Sequence, residues 1–233
     1  MNVCVIIPAA GNGTRFGTQI PKQFVELQSK PIIIHTLQIF EINPLISSIV
    51  LCLSSEWIGF VESLISSYKL RKIKSIVLGS TERQFSIKNA LESAVAKSSD
   101  ILLVHDAVRP FASQELISSV IHSAAKYGAA IPALIPKETI KVYNSSKTNI
   151  RTLDRSSLLS AQTPQGFKRN ILIDAYKNAR INNLAATDDA SLVEALGIPV
   201  SIVKGEETNI KLTTPIDYKL AEIILHQLNS FLL

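Results

Sequence analysis

An apolar run, Val3 to Ile7, leads directly into Pro8-Ala9-Ala10-Gly11-Asn12-Gly13-Thr14-Arg15-Phe16-Gly17, and Pro21-Lys22-Gln23 follows. The run reads as a buried strand. Glycines in the loop after it let backbone N–H groups approach a ligand closely, and a row of such groups binds anions. Arg15 and Lys22 bring two full positive charges to the same place. A strand that ends in such a loop is suited to hold a polyanion, with the phosphates of a nucleotide as the first expectation. The spacing narrows the choice. The ATPase loop G-x-x-x-x-G-K-[ST] has no register here. The dinucleotide fingerprint G-x-G-x-x-G is missed by one residue, because the glycines fall as Gly11-x-Gly13-x-x-x-Gly17. A cation inside the loop suits a reaction at phosphorus, where charge builds up in the transition state.

Apolar runs alternate with amphipathic segments from the N-terminus onward. Strands are expected at Val3–Ile7, Ile49–Leu53, Ile73–Leu78 and Ile101–Val104. Helices are expected at Pro31–Ile42, Glu56–Tyr68, Glu82–Ala96 and Ser113–Lys126, the last capped by Ser113. This order argues for an α/β fold with a doubly wound, mostly parallel sheet, which binds ligands at the carboxyl ends of its strands. The glycine-rich loop, Gly79–Ser86 and His105–Pro110 all follow strand ends and should converge. Ala129–Leu134 reads as a further strand. Lys137–Tyr143 and Asn149–Leu153 then flank a polar tip and form a hairpin arm, which is marginal alone and should pack on a second subunit. Helices near Arg169–Ala179 and Asp189–Leu196, a strand at Pro199–Val203 and a helix from Pro215 complete one domain, residues 1–233, with a protruding arm at about 137–155.

The 233 residues are 46% hydrophobic, enough for a sizeable core. No apolar run approaches the ~18 residues that span a bilayer. The N-terminal run lacks a basic leader and is broken by Pro8, against a signal peptide. Cys4 and Cys52 sit in strand-like runs and read as core thiols of a cytoplasmic protein, with no C-x-x-C or Cys/His cluster to ligate metal. The net charge of +5 comes without a dense cationic stripe, and aromatics are only 6%. That composition argues against nucleic-acid binding and fits acidic small substrates.

Read in order, PAAGNGTRFG, PKQF, GSTERQFSI, HDAVRP, ETIK, DRS, AQTPQGF, TDDASLVE and NIKLTTP resemble the 2-C-methyl-D-erythritol 4-phosphate cytidylyltransferase family of the non-mevalonate isoprenoid pathway, from Val5 to about Leu225. The resemblance implies a Rossmann-like nucleotidyltransferase fold with a dimerising arm. It also implies CTP and a divalent metal such as Mg²⁺ as co-reactants, a sugar-alcohol phosphate as acceptor, and pyrophosphate as product. Two alternatives stay open: the sister ribitol 5-phosphate cytidylyltransferases, and a non-catalytic nucleotide-binding protein on the same fold. ERQFSI, DRSSLLSAQTPQGF and TDDASLVE look more like the methylerythritol enzyme.

The residues suit the chemistry. A phosphate monoester is already an anionic nucleophile, so the barrier at the α-phosphorus is mostly charge repulsion and alignment, which cations relieve. By the resemblance, Arg15, Lys22 and Lys211 are the candidate catalytic cations. Pro8, Ala9, Ala10, Gly11 and Gly13, with Gly79, Ser80, Thr81, Ser86 and Asp106, are candidates for holding the nucleotide. Backbone groups of Ala9–Gly11 and Gly79–Ser80, with the Ser86 hydroxyl, suit the donor and acceptor edge of cytosine. Ser80 stands where the family usually has a second glycine. Asp106, at a strand's carboxyl end, is the candidate Mg²⁺ contact. His105 is expected to be structural. Arg109 should bind substrate phosphate or pair with Asp106. Thr139, Arg155, Thr163 and Thr187 are expected around the sugar phosphate, with Arg155 reaching a neighbouring subunit's site. Glu138-Thr139 replaces the commoner Asp-Thr.

Overall fold

The computed structural model describes residues 1–11, 20–143 and 150–230. Along the chain, β1 (Val3–Pro8) is followed by a small hairpin, β2 (Glu26–Leu27) and β3 (Lys30–Pro31), and then by α1 (Ile32–Glu41). Next come β4 (Ser48–Leu53), α2 (Ile58–Ser67), β5 (Ile73–Leu78), α3 (Arg83–Leu91), α4 (Ala94–Lys97) and β6 (Ile101–Val104). After α5 (Gln114–Tyr127) and β7 (Ala129–Leu134), β8 (Lys141–Tyr143) and β9 (Ile150–Thr152) pair as a separate antiparallel ribbon. The chain ends with β10 (Ser160–Ala161), β11 (Gln165–Lys168), α6 (Arg169–Ile181), α7 (Asp189–Glu194), β12 (Ser201–Lys204) and α8 (Pro215–Ser230).

The main sheet runs β10-β7-β11-β6-β1-β4-β5, and β12 adds to β7. The β6-β1-β4-β5 half is parallel. The side chains of β1 alternate between two cores, as a strand's period of two requires. Val3, Val5 and Ile7 pack with Leu37 and Phe40 of α1 and Ile117 and Val120 of α5. Cys4 and Ile6 pack with Ile87 and Ala90 of α3 and Leu172 and Ala175 of α6. Both faces are covered, which is why β1 and β4 are continuous apolar runs rather than alternating ones. A third, smaller cluster joins α8 to the β2–β3 hairpin through Leu27, Ile32, Leu212 and Ala221.

From β1 the chain winds outward through β4 and β5, then returns to place β6 on the other flank of β1. The switch point of the sheet therefore lies between β1 and β6, where doubly wound folds open their crevice. Here Ile6 is opposite Val104, so Pro8–Gly11 and His105–Arg109 emerge side by side.

Several elements differ from the sequence expectation. The expected helix 82–96 is two helices, because Ser93 leaves helical geometry and accepts a hydrogen bond from the Ala96 N–H to start α4. The arm's strands are shorter than 137–143 and 149–153, and its polar tip, 144–148, lies with Asn149 outside the described residues. The strand β11 was not expected. It is inserted antiparallel between β6 and β7, so the sheet is mostly parallel only on its β1 side. The Ser113 cap is present, with its Oγ accepting from the Leu116 N–H at 3.0 Å.

Candidate active site

A cleft of about 270 Å³ opens at the switch point. It brings together Pro8, Ala9, Ala10, Gly11, Lys22, Ser80, Thr81, Ser86, Asp106 and Lys211 from five distant parts of the sequence, along with Gln23, Arg83, Ala107 and Val108. Gly13 and Arg15 lie outside the described residues. Gly79 sits directly behind the cleft floor. A Cβ there would come within 2.3 Å of the Ala10 Cβ, so only glycine lets the β5 end approach the β1 loop this closely.

The loops are braced from within. Gln23, buried beside Lys22, donates from Nε2 to the carbonyls of Ala9 (2.7 Å) and Gly11 (3.0 Å). The turn Lys22–Phe24 is anchored in turn by Phe24 stacking on Trp57, with ring centroids 4.5 Å apart. Ser86 is buried. Its Oγ accepts from the Ser80 N–H at 2.8 Å and lies within donating distance of the Ser80 and Glu82 carbonyls. The Ser86 hydroxyl therefore closes the 80–82 loop where it lines the cleft. The backbone of Ser80, without its second glycine, is held in place by that bond.

Asp106 is the electrostatic centre. Its Oδ2 faces Lys211 Nζ at 3.1 Å and Arg109 Nε at 3.2 Å, and its Oδ1 faces Arg83 Nε at 3.5 Å. Burial pushes its carboxyl up, but Lys211, Arg83 and Arg109 outweigh burial and hold it well below the usual carboxylate range. Arg109 also donates to the Asn209 carbonyl at 2.7 Å. The Leu212 N–H bonds the Val108 carbonyl, which fixes Lys211 over the loop. Arg83 spans two carboxylates, since its Nη2 meets Asp189 Oδ2 at 2.7 Å. Tyr176 donates to Asp189 Oδ1 at 2.6 Å, and Asp189 is wholly buried. With Lys22, the described residues of the site hold four cations against two carboxylates, an excess suited to an anion.

His105 is structural, as expected. It is fully buried, packs edge-on against Phe40, and bonds the Arg109 carbonyl through Nε2 at 2.9 Å and the Thr163 Oγ1 through Nδ1 at 3.1 Å. A carbonyl only accepts, so the ring is protonated on Nε2 and Nδ1 accepts from Thr163. Burial lowers its pKa to about 4. Thr163, expected beside the sugar phosphate, is not among the residues that line the cleft. It is buried, and its hydroxyl donates to His105 and accepts from the Asp106 N–H at 3.1 Å. Its position serves to order Asp106. Thr139, Arg155 and Thr187 are exposed and lie outside the cleft of this chain. Arg155 donates to its own Lys137 carbonyl at 2.6 Å. Arg83, Gln23 and Asp189 were not singled out from the sequence. The signal for Arg83 and Asp189 lay in the pairing of ERQ with TDD, 106 residues apart, which no local pattern displays, and that for Gln23 lay in its place next to Lys22.

A family model described as 2-C-methyl-D-erythritol 4-phosphate cytidylyltransferase matches residues 3–227. A relative of that name from Syntrophus aciditrophicus is 44% identical over 224 residues, covering 96% of this chain and 95% of the relative. One from Geobacillus thermodenitrificans is 41% identical, covering 97% of each. Among solved structures, a 4-diphosphocytidyl-2C-methyl-D-erythritol synthase from Anaerococcus prevotii superposes with a TM-score of 0.85 at 30% identity, covering 96% of each chain. The Francisella tularensis cytidylyltransferase superposes at 0.80 and 35% identity, covering 96% of this chain and all of that one. With the glycine loop, the Asp106 cluster and these matches spanning nearly the whole chain, this protein belongs to the 2-C-methyl-D-erythritol 4-phosphate cytidylyltransferase family.

Proposed function

We propose that the cleft transfers CMP from CTP to the phosphate of 2-C-methyl-D-erythritol 4-phosphate, giving 4-diphosphocytidyl-2-C-methyl-D-erythritol and pyrophosphate in isoprenoid precursor synthesis. The observation that carries this reading is the cationic cluster around Asp106, facing the Pro8–Gly11 segment at the sheet's switch point. The family match favours this acceptor over ribitol 5-phosphate.

In this mechanism an oxygen of the acceptor's phosphate attacks the α-phosphorus of CTP, and the bond from that phosphorus to the bridging oxygen of pyrophosphate breaks. The leaving group takes the electron pair, and no proton has to move. Lys22 and Lys211 offset the charge that accumulates on the phosphorus oxygens, where fixed donors contribute most. Arg15 is assigned the same task from the sequence motif alone. Backbone groups of the Pro8–Gly11 loop and of Ser80 hold the nucleotide. Arg109 and Arg83 keep the Asp106 carboxylate ionised and oriented.

Among the described residues no three His, Cys, Asp or Glu side chains cluster as a metal site. Asp106 nevertheless fits Mg²⁺, which commonly takes one or two carboxylates and draws its other ligands from substrate phosphates and water. Among the described residues its Oδ1 faces Arg83 at 3.5 Å, farther than the partners of Oδ2. A divalent cation bound there supplies neutralisation of the triphosphate.

We further propose a homodimer built on the 137–155 arm, with Arg155 and Thr139 completing the partner's acceptor site and Thr187 contributing to the acceptor region. Support comes from the apolar surface the arm and its base leave exposed, including Ile135, Tyr143, Ile150 and Leu159. Among the described residues no helix is long and apolar enough to cross a membrane. The free, buried Cys4 and Cys52 suit a reducing cytoplasm. Side-by-side assays of pyrophosphate release from CTP test the function. Turnover with methylerythritol phosphate and a divalent metal is expected. Preference for ribitol 5-phosphate, or no turnover with either by folded protein, contradicts it.

A further inference from the structure

A hollow of about 530 Å³, larger than the active cleft, lies between α3 and α6. Its apolar lining includes Leu91, Ile173 and the ring of Tyr176, and Lys88, Lys97, Lys177 and Arg180 surround it with the acid Glu92, while Glu82 lines the neighbouring hollow. A second hollow of about 210 Å³ shares Lys88, Tyr176 and Arg180, so the two form one groove around Tyr176. Lys97 is paired with Glu92 and Lys177 with Asp174. Lys88 and Arg180 make no ion pair among the described residues.

Both substrates of the proposed reaction are polar and are assigned to the cleft, which shares no lining residue with either hollow, so the reaction gives this groove no task. An apolar trough ringed by cations suits a molecule with an apolar body and an anionic head. The groove is also wired to the active cleft. The Tyr176 ring lines it, while the Tyr176 hydroxyl holds Asp189, Asp189 holds Arg83, and Arg83 faces Asp106.

We propose that the α3–α6 groove binds an amphipathic organic anion and that its occupancy weakens CTP binding through Tyr176. Asp189 has no solvent to fall back on. If a ligand displaces the Tyr176 hydroxyl, the Asp189 carboxylate draws more heavily on Arg83, which then releases Asp106. Coupling of this kind is reciprocal, so CTP must weaken the groove ligand by the same factor.

Octyl phosphate is a suitable probe, titrated calorimetrically into the full chain with and without CTP, with octanol and inorganic phosphate as controls. Saturable binding is expected for octyl phosphate, at least about tenfold tighter than for either control, and several-fold mutual weakening with CTP. The pair Lys88→Glu and Arg180→Glu should lose about tenfold or more in probe affinity while turnover without probe is unchanged. Tyr176→Phe should still bind the probe but show no mutual weakening. Unchanged probe affinity in the charge-reversed protein overturns the site. Tight probe binding by the wild type with no effect on CTP affinity overturns the coupling, whether or not Tyr176→Phe folds. Inorganic phosphate matching octyl phosphate also overturns the proposal, since it assigns the probe to the polar cleft.

Discussion

Arg83 divides its charge between Asp106, which lines the cleft, and Asp189, which is wholly buried in protein. Removing one partner of a buried pair leaves the other charge unpaired and costs about 3–5 kcal/mol, whereas removing both is far milder. Arg83→Met is therefore expected to destabilise the protein by about 3 kcal/mol, read from urea unfolding. Adding Asp189→Asn should restore part of that stability, and additive losses would contradict the pairing. Activity should not recover in the double variant, because Asp106 still lacks its third cation. At this scale Lys22, Asp106 and Lys211 were legible because each sits in a motif of its own beside a strand end or a turn. The backbone partners of the Ser86 and Thr163 hydroxyls were not legible, for a physical reason. A hydroxyl both donates and accepts, so its type alone does not say which protein groups it also engages.

Elements with one-sided chemistry were legible, and those that depend on a neighbour were not. β1, β4 and β6 announce themselves as unbroken apolar runs because helices cover both faces. β11 reads Gln-Gly-Phe-Lys, with one large apolar residue. It is a strand because Gly166 lets α5 close down on it: a Cβ there would lie 2.8 Å from Val120 Cγ1. The arm was legible from its polar tip, but its strand ends were not, since β8 and β9 are exposed along their length. The sharpest test of an element is the join between β5 and the β1 loop. Gly79→Ala places a methyl on Ala10 and should push the loop into the cleft. A cost of about 1–3 kcal/mol is expected from overpacking, together with a raised KM for CTP. Unchanged CTP affinity in this variant would separate the loop's position from nucleotide binding.

Across the whole molecule, stability should follow the buried neutral His105. Its pKa is about 4 when folded, against 6.5 ordinarily. Below 6.5 the unfolded chain takes up a proton that the folded one does not, so stability falls as pH drops from 6.5 toward 4, by up to about 3 kcal/mol. Half-buried His35, also lowered chiefly by burial, adds in the same direction. Asp106, held below the usual range, withdraws its own contribution only below about pH 3.8. Urea midpoints across this window should slope less in His105→Gln, and an unchanged slope would show that the imidazole is not the source. The proposed dimer makes a second whole-molecule prediction. Lys22→Ala should lower kcat on the order of 10²-fold, and Arg155→Ala should raise KM for the acceptor more than for CTP. Mixed after verified subunit exchange, the two variants should regain activity, and no regain would place Arg155 outside the partner's site. The central claim, attack by the acceptor's phosphate on the α-phosphorus of CTP, is tested most directly by ³¹P NMR with ¹⁸O in that phosphate. Label in the new diphosphate and unlabelled pyrophosphate are predicted, whereas label in pyrophosphate, or no diphosphate product, would contradict the account.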